Sequence, residues 1–310
     1  MRRRVFITGG TGFFGKSMLD YRLRHPEWEW AKAEWVLLSR SPEKFIAGFP
    51  CLARQTGVSF VGGDVRDFAF PSGRFDAVVH AATSAVNTLA DGGGTTSVVV
   101  DGTRHVVDFA KAAGCMKVLF TSSGAVYGPR TSPASEEDEC NPVTAYGKGK
   151  LAAERILVES GLDVKIARCY AFVGRYLPRT IHFAIGNFIQ DCLEERDIVI
   201  RGDGTPLRSY LYADDLVEWL SIILERGVGS RVYNVGSPSG ITIYQLARRV
   251  SEICGGRNDI RVLGESGGRL PGHYYPNVDR AKFELGLKIC FDLDAAIEKT
   301  YKIIRTKFEN

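Results

Sequence analysis

Tyr146 and Lys150 stand four residues apart in the stretch Tyr-Gly-Lys-Gly-Lys, residues 146–150. Positions i and i+4 share one face of a helix. A phenol with its ordinary pKa of about 10 is no base at neutral pH. An ammonium one turn along favours the phenolate and draws that pKa toward the working range. Such a pair can move a proton to or from a hydroxyl. Gly147 and Gly149 each cost the helix roughly 1 kcal/mol relative to alanine, and close approach of a ligand is one reason to keep them.

A proton-moving pair needs something to act with. "ITGGTGFFGKSML" supplies Gly9, Gly12 and Gly15 directly after an apolar run and at the start of a helical pattern. A turn of that kind cradles a pyrophosphate: glycine takes positive φ, has no Cβ in the way, and lets the helix pack close to the strand. The helix N-terminus then offers free N–H groups to the anion. This reads as a dinucleotide site. The second strand closes on Ser39-Arg40-Ser41, where a carboxylate for the ribose hydroxyls is expected in an NAD site. Arg40 suits a 2′-phosphate instead, so NADP(H) is favoured and NAD(H) is the alternative. Asp64 and Val65, in "GDVRD" (63–67), are placed to meet the adenine. "HAAT" (80–83) ends a strand in small residues that let backbone approach the cofactor, and His80 reads as a packed strand-end residue.

The elements that must position these groups are legible as a pattern. "RVFIT" (4–8), "WVLLS" (35–39), "VSFVG" (58–62), "DAVVH" (76–80), "KVLFT" (117–121) and "VKIAR" (164–168) read as buried strands. Helix-length segments such as 95–113 and 144–159 lie between them. The fold class is therefore α/β, a Rossmann-type doubly wound parallel sheet covered on both faces. After residue 170 the runs shorten and Gly/Pro loops multiply, which predicts a smaller, mixed α/β substrate-binding lobe. The expected division is 1–170, with about 207–236 returning to it, against 171–206 and 237–310. "LVEWLSIILER" (216–226) predicts a helix and "RVYNVG" (231–236) a strand. "PEWEWAKAEW" (26–35), with three tryptophans and three glutamates, reads as a surface excursion rather than a partner site.

Composition narrows the classes. Of 310 residues 45% are hydrophobic and 25% charged, and the net charge of +4 is spread along the chain. That is a poor case for nucleic acid and compatible with an anionic small substrate. The seven cysteines are dispersed with no CxxC pair, so no metal site is read and reduced thiols in a cytoplasmic setting are expected. The apolar run after Arg2-Arg3-Arg4 is too short for an export signal. No stretch approaches the roughly 20 apolar residues that span a bilayer.

Taken in order, TGGTGFFG, GDVRD, HAAT, SSGAVYG, Tyr146-xxx-Lys150 and "RSYLYADD" (208–215) resemble the extended short-chain dehydrogenases/reductases, the NAD(P)-dependent epimerase/dehydratase family acting on nucleotide sugars. The resemblance runs over nearly the whole chain. It implies Ser123, Tyr146 and Lys150 as the catalytic set. Tyr146 exchanges a proton with a sugar hydroxyl while nicotinamide takes hydride from the same carbon. Lys150 also holds the nicotinamide ribose, and Ser123 holds the reacting oxygen. Thr11, Phe13, Phe14, Ala81, Ala82, Thr83 and Tyr146 join the cofactor contacts. Ser84, Tyr127, His182, Asn187, Arg208 and Arg269 join Ser123 on a nucleotide-diphosphate sugar, the two arginines on its pyrophosphate. Asp215 is expected to cap or orient. A homodimer paired through 95–113 and 144–159 is also implied.

Departures carry information. The 4,6-dehydratases of this family follow the Ser/Thr with an Asp-Glu pair, where this chain has Gly124 and Ala125. Neither moves a proton, so dehydration by that route is disfavoured. Ala171 and Val99 stand where relatives often carry asparagine, which weakens transfer of substrate pose. An epimerase or a 4-ketoreductase acting at C4 is expected. A dehydratase using another acid/base set and a non-catalytic NADP-binding regulator are the alternatives.

Overall fold

A computed structural model describes residues 3–83, 94–179, 183–256, 258–265 and 272–308. The chain divides into two compact units. The first comprises Met1–Gly128, Glu139–Cys169 and Val217–Tyr233; the second comprises Pro129–Asp138, Tyr170–Leu216 and Asn234–Asn310.

The first unit is built on a seven-stranded sheet. Its strands are β1 (Arg4–Thr8), β2 (Glu34–Ser39), β3 (Val58–Gly62), β4 (Ala77–His80), β5 (Lys117–Ser123), β6 (Asp163–Cys169) and the strand Arg231–Val235. Across the sheet the order is Arg231–Val235, β6, β5, β4, β1, β2, β3. The pairs among β1 to β6 are all parallel. Parallel strands in mid-sheet are covered on both faces and so carry unbroken apolar runs; Val5, Phe6 and Ile7 are buried one after another. β3 was expected to be buried like the rest. It is the sheet edge, and its side chains are half-buried or exposed.

Among the described residues the helices that accompany these strands are α1 (Phe13–Arg24), α2 (Pro42–Gly48), α3 (Pro50–Ala53), α4 (Gly94–Ala112), α5 (Ala145–Glu159) and the part from Val217 of the helix Ala213–Arg226, which the sequence predicts over 216–226. One apolar cluster joins Phe6, Val78, Val118 and Phe120 of the sheet to Val106 and Phe109 of α4 and Leu157 of α5. Phe6 is a hub of rings, with Phe109 at 4.4 Å and Phe68 at 5.2 Å between centroids.

The tryptophan-rich segment corrects the surface reading. Trp30 and Trp35 are 5% and 0% exposed, and Trp35 Nε1 donates to the Trp30 carbonyl at 2.9 Å. Trp28 packs edge-on against both Tyr21 and Trp35. The glutamates face water and the indoles seal the open side of α1, which a count of residue types cannot tell apart.

Among the described residues the second unit holds three small sheets of two- and three-residue strands. Phe172–Val173 pairs with Leu211–Tyr212, Ile198–Ile200 with Ile260–Val262, and Leu207–Arg208 lies between Ile241–Thr242 and His273–Tyr274. The helix Ile243–Cys254 starts with a capping box between Thr242 and Gln245, a local device worth about 1 kcal/mol. Among the described residues no helix is long and apolar enough to cross a membrane.

Candidate active site

The glycine turn is shaped by contact with its neighbour strand. Gly9 has φ +69°, and a Cβ there would stand 2.6 Å from the backbone of Ala81. Gly15 lies still closer to Gly10, whose carbonyl oxygen would be 2.1 Å from an added Cβ. Gly12 caps α1 without any side-chain hydrogen bond, and the first turn of α1 holds no acidic residue. No side chain at Gly12 caps the N-terminus of this twelve-residue helix. A cradle with positive φ, no Cβ and no carboxylate fits a dinucleotide pyrophosphate. Thr11 sits half-buried in the turn, and Phe13 and Phe14 open α1 with their rings edge to face at 5.8 Å.

Around that turn, Thr8 ties β1 to β4. Its Oγ1 accepts from the Ala82 N–H at 3.1 Å and contacts His80 Nδ1 at 2.8 Å. His80 Nε2 reaches Thr103 Oγ1 at 3.0 Å, and its ring stacks on Phe120. Burial, helped by the nearby Lys150 charge, drives the His80 pKa down to about 3. His80 is a neutral, packed ring. Ala81 is buried, Ala82 half-buried and Thr83 exposed.

Arg40 is exposed just past β2. The Asp64 carboxylate accepts from Arg66 Nε at 2.7 Å and from the Arg66 N–H at 3.1 Å. That hydrogen bond, with Arg40 contributing charge, holds Asp64 below the usual carboxylate range. The Val65 side chain is buried against α4, where Gly102 leaves it room.

The residues expected to be catalytic lie around the C-terminal end of β5. Ser123 is the last residue of the strand and 5% exposed. Its Oγ accepts from the Ala125 N–H at 3.2 Å and caps the 3-10 turn Gly124–Tyr127. α5 begins behind that turn. Thr144 caps it by accepting from the Gly147 N–H at 3.0 Å, which places the half-buried Tyr146 in the first turn and Lys150 one turn on. Lys150 is 1% exposed. Its Nζ donates to the Thr121 carbonyl at 2.8 Å and lies 5.8 Å from the centre of the Tyr146 ring. Burial pulls the Lys150 pKa down to about 8, opposed in part by the negative charge of Glu154.

The two glycines of α5 meet protein atoms. A Cβ on Gly147 would stand 2.6 Å from the Ala125 carbonyl oxygen, and one on Gly149 3.3 Å from Thr96 Cα. Gly147 lets the helix start lie against the loop that carries Ser123, and Gly149 lets α4 pack on α5. The close approach expected of a ligand is here an approach of backbone.

Sequence reasoning missed two residues beside this set. Glu154 follows Lys150 by one further turn and is 4% exposed, while Arg168, on β6, is 6% exposed. Arg168 Nε and Nη2 donate to the two Glu154 carboxylate oxygens at 3.0 and 2.7 Å. The available signals were the i+4 spacing from Lys150 and a charged residue inside a buried strand. Tyr127 is 2% exposed, its ring 4.7 Å from the Arg168 guanidinium.

In the second unit, Arg208 Nη1 donates to the carbonyls of Leu207 at 2.8 Å and Gly272 at 3.2 Å. Asn187, on the helix Ala184–Leu193, keeps its side-chain oxygen buried without a hydrogen-bond partner among the described residues. Asp215 accepts from the N–H groups of Cys290 and Phe291 at 3.0 and 3.1 Å, an orienting role. Ser84, His182 and Arg269 lie outside the described residues.

Known proteins resemble this chain in sequence and in fold. UDP-glucuronic acid decarboxylase 1 of Xenopus tropicalis is 27% identical, over 100% of this chain and 74% of its own length. UDP-glucose 4-epimerase 4 of Oryza sativa subsp. japonica is 27% identical over 87% of this chain and 80% of its own. The crystal structure of UDP-glucuronic acid 4-epimerase from Bacillus cereus, in complex with UDP-glucuronic acid and NAD, superposes with a TM-score of 0.84 at 20% identity, covering 98% of this chain and 99% of that one. The family model for the NAD dependent epimerase/dehydratase family matches residues 5–236. A match over that span, together with the glycine cradle and the parallel sheet, makes this chain a member of the NAD-dependent epimerase/dehydratase family.

Proposed function

We propose that the protein acts on a nucleotide-diphosphate sugar with a nicotinamide dinucleotide, NADP(H) in preference to NAD(H), as a C4 epimerase or a 4-ketoreductase. The observation that carries this reading is the gathering of Ser123, Tyr146 and Lys150 at the β5–α5 junction, on the same C-terminal sheet edge as the Gly9 cradle.

Gly9, Gly12 and Gly15 would hold the pyrophosphate at the N-terminus of α1, with Arg40 toward a 2′-phosphate. When bound, the dinucleotide supplies hydride chemistry at the sugar carbinol carbon. Ser123 Oγ donates a hydrogen bond to the reacting oxygen. Tyr146 takes that oxygen's proton in oxidation and returns one in reduction. The Lys150 ammonium, in a low-dielectric interior, favours the phenolate more strongly than it would in water. Gly124 and Ala125 offer no group for removing water across C5 and C6. Glu154 is a buried carboxylate, and Arg168 engages both of its oxygens.

A decarboxylase is the second reading, favoured by the relatives of that activity at 25–27% identity. A 4-keto uronate is a β-keto acid and loses carbon dioxide without an Asp-Glu pair.

The test is incubation with NAD(P)(H) and a panel of UDP- and dTDP-linked 4-hydroxy, 4-keto and uronic sugars. Mole-for-mole oxidation of the reduced cofactor marks a reductase. Inverted C4 with no net absorbance change marks an epimerase, and released carbon dioxide a decarboxylase. Cofactor binding without turnover of any member would overturn the enzymatic reading in favour of a regulator.

A further inference from the structure

Behind Tyr146 and Lys150 lies a buried ionic cluster. Glu154 and Arg168 are joined by a two-pronged salt bridge, and the Ser122 hydroxyl donates to the same carboxylate. Stability is a weak reason for it, because a buried pair seldom outweighs the desolvation of its charges. The arrangement has a direct consequence for Lys150. Glu154 lies one turn away on α5, where an unengaged carboxylate would pair with the ammonium. It would cancel at the phenol much of what Lys150 provides. The Arg168 fork takes both carboxylate oxygens, and Lys150 Nζ stays on the Thr121 carbonyl. Lys150, Arg168 and Glu154 together then leave one positive charge behind Tyr146.

We propose that Glu154 and Arg168 are positioning residues: Arg168 ties up the Glu154 carboxylate so that the full charge of Lys150 acts on Tyr146. This deepens the reading above and rests on Tyr146 as the acid/base. The other titratable groups facing the cluster supply no rival charge near neutrality. His80 is neutral down to about pH 3. Cys169 is pushed up to about 12 by burial, and burial also raises Cys140, beside Arg168. Tyr127 meets Arg168 with its ring face and with a side-chain hydrogen bond.

The experiment follows phenolate absorbance during pH titration of the full chain with NADP+ bound, subtracting Tyr146→Phe to isolate residue 146. Three variants are compared with wild type: Arg168→Met, Arg168→Lys and the double Glu154→Gln/Arg168→Met. Arg168→Met should move the Tyr146 titration up by about one pH unit. Arg168→Lys should keep it near the wild-type position, and the double variant, with the same net charge as wild type, should restore it. If Arg168→Met fails to fold, the double variant decides: a titration at the wild-type position supports the proposal, and a displaced one overturns it. An unmoved titration in folded Arg168→Met also overturns it while leaving Tyr146 as the acid/base. A wild-type residue 146 that titrates like an ordinary tyrosine overturns both readings.

Discussion

The Cβ that Gly147 lacks would stand 2.6 Å from the carbonyl oxygen of Ala125. Ala125 is two residues past Ser123, so this contact sets how closely the phenol of Tyr146 can follow the Ser123 hydroxyl. Gly147→Ala should lose about 1–3 kcal/mol of stability, overpacking outweighing the gain in helix propensity. It should also lower turnover on the order of 10²-fold through displaced geometry. Gly149→Ala meets Thr96 Cα at a looser 3.3 Å and should be near neutral. Thermal melts and kcat of the two variants, side by side, check the contrast.

Tyr146→Phe should lower kcat by about 10²- to 10⁴-fold, the usual worth of a positioned acid/base. Dinucleotide affinity should change little, because the Gly9 cradle is untouched. Fluorescence titration with NADP(H) beside a turnover assay separates the two effects.

Arg40→Ala should weaken NADP binding by roughly 10- to 100-fold, the equivalent of one charge-assisted hydrogen bond, and leave NAD binding unchanged. Calorimetric titration of both dinucleotides against both proteins measures it. Equal affinities for NAD and NADP in the wild type would remove the cofactor preference argued from this arginine.

His80 predicts a pH dependence of stability. Its folded pKa of about 3 lies below the ordinary value of 6.5. The unfolded chain therefore binds a proton at this residue that the folded chain does not. Stability is full above pH 6.5 and is lost as pH falls toward 3. Between pH 7.5 and 5.5 the loss is about 1.4 kcal/mol. Denaturant midpoints for wild type and His80→Gln across that range should show the slope in the first and not in the second.

Much of the first unit is legible in the sequence, because strands buried on both faces are mostly apolar, as Val5–Ile7 and Val118–Phe120 are. The glycine cradle was legible for a similar reason: only glycine tolerates the backbone at Gly9. What escaped depended on partners distant in the chain. β3 has the composition of a central strand, and only the sheet order puts it at an edge. The role of Gly147 needs the Ala125 carbonyl. Arg168 and Glu154 lie on consecutive elements, α5 and β6, and no local pattern says that their side chains meet. Trp30 shares a segment with three glutamates, and that it faces inward follows from its packing beside Trp35.

The strand Arg231–Val235 borders β6 at one edge of the seven-stranded sheet. A growing chain makes β6 well before it makes this last strand, with residues 170–230 synthesised in between. During that interval β6, with Val164, Ile166 and Ala167, presents a bare row of backbone donors and acceptors. A polypeptide ending before Arg231 would leave that edge unpaired, a ready template for a stranger's strand.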